Sequence, residues 1–437
     1  MVRVVVVGGG VAGLSAALAA SRHGAKTTLL ESSKKVGVSR ALMPFLISEG
    51  WAEDDLILPQ VAELAEAGVE VRTGLTVTSV QHKERTLQVD DADRRRPPIG
   101  FDSVVIATGA ASQVPALRGI SKPKVFILKG PADYVRLSTQ LEALQTIVVS
   151  GPVPLGLRLG EILANKGKRV FVYCGREGLA HQFSDPVAAA IRRQVSVGNR
   201  KNEVKLVDAS IDSVLGVHEA EAVASSGSVR TCDGVVVVPR SVPVVPAVGC
   251  ERGRNGGLLV DASMSTSLRG VFAAGDSAEI KFKSGSVTAR LHSTSIIGGE
   301  VAGVNAAGGK ASASPSWAVG QTYFGLELSS AGLGEEEALA IGLDAGTETG
   351  RYREVRFGGG RETLISMVYD RASHQVYGLQ IAGWGASSLS SAASMTVSLG
   401  LRVEQLLRME FPYSPGSSYE ISPISLTARK ILDLEGS

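Results

Sequence analysis

The chain has 437 residues, 44% of them hydrophobic, with 45 Lys and Arg set against 43 Asp and Glu. That length supports roughly two to four packed domains, and a net charge of +2 gives no electrostatic basis for binding nucleic acid or a membrane surface. Three cysteines, Cys174, Cys232 and Cys250, are too few and too scattered for a disulfide framework or a zinc site, so no metal is expected and a reducing, cytoplasmic setting is. Met1 leads straight into an apolar strand with no room for a signal sequence, and no uncharged apolar run of about 18 residues exists, so no membrane span is expected.

The first strand, Val4-Val5-Val6-Val7, runs into Gly8-Gly9-Gly10-Val11-Ala12-Gly13. A helix through 14–20 follows, then a strand over 26–30 that ends at Glu31, 18 positions after Gly13. Strand, glycines, helix, strand and acid in this order predict a dinucleotide site. Gly8 permits the tight turn, Gly10 lets backbone approach a pyrophosphate, and Gly13 lets helix and sheet pack closely. The pyrophosphate would rest on the helix N-terminus. Glu31 would accept from ribose hydroxyls.

Further along, Arg94-Arg95-Arg96 before Pro97-Pro98 predicts a solvated turn. A strand at 104–106 closes in Ala107-Thr108-Gly109. A second strand–helix–strand unit begins at 146–151, with its helix over 157–166 and its next strand over 169–173. A third strand-turn, Gly270 to Asp276 through Val271-Phe272-Ala273-Ala274-Gly275, returns to the first sheet. Alternating β-branched runs and amphipathic stretches over the first 300 or so residues predict parallel sheets covered on both faces. Residues 306–316 are small and turn-rich, a linker. Beyond 322, shorter strands followed by helices predict a separate α+β domain.

Together these features resemble the two-dinucleotide-domain flavoproteins, the pyridine nucleotide-disulfide oxidoreductases. Within them the likeness is to the coenzyme A disulfide reductase and NADH oxidase group, whose Tyr-Ala-Pro-Pro-Phe-Ser and following Asp-Pro are echoed by Tyr413-Ser414-Pro415-Gly416-Ser417-Ser418 and Ser422-Pro423. The resemblance implies an α/β protein with two Rossmann-like dinucleotide-binding domains, for FAD and NAD(P), and a C-terminal α+β dimerisation domain. FAD binding falls to 1–112 and 243–312, an NAD(P)-like domain to 113–242, and dimerisation to 316–437. It implies FAD on Gly8, Gly10, Val11, Ala12 and Gly13, with Glu31 on the adenosine ribose, the Ala107-Thr108-Gly109 turn alongside, and Gly275-Asp276 at the ribitol. A homodimer follows, Tyr413 reaching the other subunit's active site. His292, on the helix facing the flavin pyrimidine ring, is a candidate acid or polarising group, against the plainer reading of a structural histidine. Lys281 and Lys283 either attract an anionic substrate or are merely solvated.

The sequence also departs from that family. Its segment ending Cys-Gly-Leu-Pro-Tyr is here Ala41-Leu42-Met43-Pro44-Phe45, so Ala41 occupies the redox cysteine's position and thiolate chemistry there is excluded. The three cysteines read as structural small hydrophobes, Cys232 and Cys250 flanking the second unit's last strand. The second fingerprint is Gly151-Pro152-Val153-Pro154-Leu155-Gly156: Val153 stands where a pyrophosphate should meet bare backbone, and two prolines remove N–H donors. Pro154 is harmless if it begins the helix. Gly151, Gly156 and Arg176 are the candidate NAD(P) contacts, Arg176 serving a 2′-phosphate of NADPH or only facing solvent. Three explanations compete: a reshaped loop that still binds NADH or NADPH, a vestigial site, or another electron donor. The leading expectation is an FAD-dependent NAD(P)H oxidoreductase that passes electrons directly from flavin to oxygen, a quinone-like dye or a protein acceptor. The alternative is a flavin-binding subunit or regulatory homologue that acts through a protein partner.

Overall fold

The computed structural model describes residues 1–91, 94–175, 178–179, 182–198, 204–282, 285–288, 291–356 and 360–435. They form two compact units, one of residues 1–43, 51–113 and 241–315, the other of 44–50, 114–240 and 316–437.

The first unit is built on a five-stranded parallel sheet in the order Val271–Ala273, Ser103–Ile106, Arg3–Val7, Lys26–Glu31, Glu70–Thr73. Val4 to Val7 are all buried at the centre, as the unbroken β-branched run requires of a strand covered on both faces. The helix Val11–Arg22 buries Leu14, Ala17 and Leu18 among others. Its small residues let a second helix, His292–Ala306, lie closely against it: a Cβ on Gly299 or Gly303 would come within 2.2 Å of the carbonyl oxygens of Ala12 and Ala16.

Not all of this unit is parallel, and two expectations fail here. Thr76–Gln81, Thr86–Asp91 and Arg94–Gly100 form a three-stranded antiparallel sheet. Arg94 to Arg96 are therefore strand and not a solvated turn. The hairpin's edge strand tolerates Pro97 and Pro98 because the register shifts opposite them, between Leu87 and Val89. The arginines are satisfied laterally, Arg95 by Gln88 and Arg96 by Asp91.

The second unit carries another five-stranded parallel sheet, Val204–Val207, Arg169–Tyr173, Thr146–Ser150, Gly234–Val237, Val125–Ile127. Its fingerprint helix spans Val153–Asn165, four residues earlier than expected, because Pro154 falls within the first turn, where no intrahelical N–H is needed. The same unit holds a five-stranded antiparallel sheet, Val319–Tyr323, Leu326–Gly332, Val376–Gly383, Arg361–Asp370, Ala345–Glu354. Ile365, Met367, Leu379 and Ile381 from that sheet bury against Ala393, Leu406, Ile424 and Ile431 of the C-terminal helices. The chain thus adopts the expected mixed α/β fold. Among the described residues, no helix is long and apolar enough to cross a membrane.

Candidate functional site

The first glycine loop is shaped by sterics. Gly8 has φ +104°, and a Cβ there would lie 2.3 Å from the Ala107 carbonyl oxygen. A Cβ on Gly13 would lie 1.8 Å from the Gly8 carbonyl oxygen, so loop and helix touch backbone to backbone. Gly10 is the opposite case: nothing lies within 4 Å of its Cβ position, leaving the cradle an approaching pyrophosphate needs. The first bond into the helix runs from Leu14 N–H to Gly10 carbonyl at 2.9 Å. The preceding N–H groups of Val11, Ala12 and Gly13 are left without intrahelical acceptors, beside no acidic side chain in the first turn. Three parallel donors at a positive dipole end favour an anion.

Glu31 is fixed at the end of the second strand. Its Oε2 accepts the Gly9 N–H at 2.7 Å and its Oε1 accepts the Ser33 N–H at 2.7 Å. The carboxylate therefore bridges the glycine loop and the next loop, with lone pairs remaining on both oxygens for ribose hydroxyls. Gly37 N–H donates to Gly9 carbonyl at 2.7 Å, which closes the loop from the other side.

Three turns distant in sequence meet at the C-terminal ends of these strands. Ala274 N–H donates to the Ile106 carbonyl at 3.1 Å, and Ser277 Oγ donates to the same carbonyl at 3.1 Å. Gly275 has φ +69°, and a Cβ there would sit 2.8 Å from Ala12 Cβ, so the turn carrying Asp276 abuts the first turn of the fingerprint helix. The Ala107-Thr108-Gly109 turn is held by Val244, whose N–H donates to Gly109 carbonyl at 2.9 Å and whose carbonyl accepts the Thr108 hydroxyl. His292, exposed, is the first residue of its helix. Lys281 pairs with Glu251 at 3.6 Å, and Lys283 lies outside the described residues.

Ala41 is exposed in a single 3-10 turn, Arg40–Leu42. Its neighbour Arg40 donates to the Ala110 carbonyl at 2.7 Å and to Ser112 Oγ at 3.2 Å, tying this turn to the strand that leaves Gly109. Cys174 and Cys232 are buried, and desolvation pushes each thiol up to about 11. Cys250 is raised for the same reason and donates to Thr266 Oγ1 at 3.2 Å. It folds with the first unit.

The second fingerprint keeps one of the first one's devices. Gly151, at φ +151°, would place a Cβ 2.5 Å from the Val238 carbonyl oxygen, the counterpart of Gly8 against Ala107. Gly156 is not tightly packed, its Cβ position lying 3.4 Å from Val172. The close approach falls instead at Gly160, one turn on, at 2.7 Å. Val153 is 6% exposed, so its side chain is packed into protein and does not stand in the pyrophosphate's place as the sequence suggested. The prolines do matter: Pro152 and Pro154 leave only Val153 and Leu155 to offer free N–H groups before Gly156 N–H bonds Pro152 carbonyl at 2.9 Å. Cys174 directly follows the next strand, Arg169–Tyr173, where a ribose-binding acid would stand, and Arg176 lies outside the described residues.

Tyr413, 46% exposed, projects from the segment between the last two helices.

A family model described as pyridine nucleotide-disulphide oxidoreductase matches residues 2–290, and a second, for the dimerisation domain of that family, matches 319–423. The chain is 26% identical to an NADH oxidase of Methanocaldococcus jannaschii, over 98% of each chain. It is 24% identical, again over 98% of each, to an NAD(P)H coenzyme A polysulfide/persulfide reductase of Pyrococcus horikoshii. Among solved structures, an NAD-dependent persulfide reductase from A. fulgidus superposes with a TM-score of 0.87 at 22% identity, over 99% of this chain and 84% of that one. It shares the fold.

Proposed function

Since the chain belongs to the pyridine nucleotide-disulphide oxidoreductases, FAD-dependent enzymes that use NAD(P)H, we propose that it is one whose electron path runs through flavin alone, with no cysteine redox centre. The observation that carries this reading is Ala41 exposed at the family's cysteine position, with all three cysteines buried and their thiols raised.

The intact cradle supports FAD at the first fingerprint. In this reading the N–H groups of Val11, Ala12 and Gly13 bind the pyrophosphate, with Gly8 and Gly10 giving it room. Glu31 orients the adenosine ribose, while the Ala107-Thr108-Gly109 and Gly275-Asp276 turns hold the ribitol end. His292 then heads the helix facing the flavin, and Tyr413 of one subunit of a homodimer serves the site of the other. The FAD-binding part is 1–112 with 243–312, the NAD(P)-like part 113–242 with Gly151 and Gly156, and the dimerisation part 316–437. Bound FAD supplies the redox chemistry, taking a hydride from reduced nicotinamide and delivering electrons to oxygen, a quinone-like dye or a protein.

One observation favours a second reading. Pro152 and Pro154 leave the second helix two free donors where the first has three in a row, which weakens nicotinamide dinucleotide binding and suits a flavin subunit reduced through a protein partner. Anaerobic mixing of the holoprotein with NADH or NADPH separates the two. Prompt bleaching of the flavin band supports the enzyme, and an oxidised spectrum at millimolar nucleotide supports the partner-dependent form. Oxygen consumed with water as product, two NADH per oxygen, would overturn the cysteine-free mechanism.

A further inference from the structure

The segment 411–422 is neither helix nor strand, yet it is tied down at both ends and closed on itself. Phe411 packs against the C-terminal core at one end, and buried Ser422 and Ile424 fix the other. Between them Pro412, Tyr413, Ser414 and Pro415 are exposed, while Ser418 and Tyr419 are half-buried.

Ser418 grips both neighbours of Tyr413. Its Oγ accepts the Ser414 N–H at 2.8 Å and donates to the Pro412 carbonyl at 3.2 Å. Backbone bonds from Ser417 and Ser418 N–H to the Ser414 carbonyl, at 2.9 and 3.0 Å, close the turn, and Gly416 supplies the positive φ of 78° it needs. The next residue fastens this turn to the sheet. The Tyr419 hydroxyl lies 3.1 Å from the Tyr352 carbonyl and 3.0 Å from Thr363 Oγ1, and its ring stands edge-on to Trp384 at 5.1 Å. Arg361 completes the arrangement, its guanidinium 4.9 Å above the Trp384 ring and donating to the Gly416 carbonyl.

An exposed loop does not need this many partners to fold, and the bonds converge on the backbone either side of one exposed aromatic. We infer that Ser418, Tyr419 and Arg361 are positioning residues that hold Tyr413 in a fixed presentation. The inference rests on the proposal that Tyr413 serves a flavin site.

Two readouts separate the inference from its premise. The first is chymotrypsin cleavage after Tyr413 in the holoprotein, which requires the turn to open locally. Ser418→Ala and Tyr419→Phe each remove hydrogen bonds and are expected to speed cleavage about threefold to tenfold, with Ser418→Thr, which keeps a hydroxyl, close to the parent. The second is the rate at which air reoxidises the dithionite-reduced holoprotein, which needs no nicotinamide. Tyr413→Phe is expected to change that rate about threefold or more, Ser418→Ala to change it in the same direction, and the double variant to match Tyr413→Phe alone. A Ser418→Ala protein with unaltered cleavage and unaltered reoxidation overturns the inference, as do additive effects in the double variant. If cleavage accelerates but Tyr413→Phe leaves reoxidation unchanged, the role of Tyr413 falls, and the inference with it. Should Ser418→Ala fail to fold, Arg361→Lys, which loses the planar contact with Trp384, gives the same two readouts.

Discussion

Adjacent glycines in the His292–Ala306 helix provide a sharp test of how the cofactor site is braced. A Cβ on Gly299 would stand 2.2 Å from the Ala12 carbonyl oxygen and 3.0 Å from Ser15 Cβ, whereas one on Gly298 would make only ordinary contacts, with Met264 Sδ at 3.4 Å and Ala274 Cβ at 3.9 Å. Both Gly→Ala changes gain about 1 kcal/mol of helix propensity, so that contribution cancels between them. Gly299→Ala must in addition push two helices apart by at least 0.8 Å to bring 2.2 Å up to 3.0 Å. Overpacking of that kind costs about 1–3 kcal/mol. The displaced atom belongs to the first turn of the fingerprint helix, so part of the cost appears in cofactor binding. Denaturant melts of the two apoproteins should place Gly299→Ala about 1–3 kcal/mol below Gly298→Ala, and FAD titration should show it binding about tenfold more weakly, which corresponds to about 1.4 kcal/mol. Equal stability within about 0.5 kcal/mol, with equal FAD affinity, would refute the argument that this close crossing braces the site.

Glu31→Gln keeps the shape but removes the charge, and an amide with a single acceptor oxygen cannot keep both bonds from the Gly9 and Ser33 N–H groups; FAD affinity should fall about tenfold or more, measured by reconstitution of the apoprotein. The cysteines should be silent. With thiols at about 11, only about one in ten thousand of Cys174 or Cys232 is thiolate at pH 7, so a thiol reagent should label them only on unfolding, and Cys→Ala at all three should leave flavin reduction unchanged. Asp102 gives a pH prediction: hydrogen bonds from the Arg3 side chain and backbone hold its carboxyl down at about 2. Its contribution is present above the unfolded carboxyl's range near pH 4 and is lost as pH falls toward 2. The pair is exposed, so Asp102→Asn should cost less than about 1 kcal/mol at neutral pH and flatten the acid limb of the stability curve.

The glycine loop was legible because backbone geometry dictates it. Only glycine fits against the Ala107 carbonyl at Gly8 or the Gly8 carbonyl at Gly13, and such constraints leave a spacing that can be read. The second loop was read less well. Val153 looked obstructive from its position alone, but its burial depends on how the helix begins, which the flanking prolines set. Residues 76–100 were missed as antiparallel strands because their edge strand mixes arginine and proline, residues that usually mark loops. The pairing of Gly299 and Gly303 with Ala12 and Ala16 joins segments almost 300 residues apart. Its trace in the sequence, small residues four apart on both helices, could have been found. The bonds around Ser418 left no such periodic trace, because they are side-chain contacts within one irregular turn.

The central claim, an electron path without a protein thiol, is tested most directly by anaerobic dithionite titration of the purified holoprotein. The account predicts complete flavin reduction at about two electrons per FAD, with no further uptake. Consumption of about four electrons per FAD would reveal a second redox centre in the protein and contradict it.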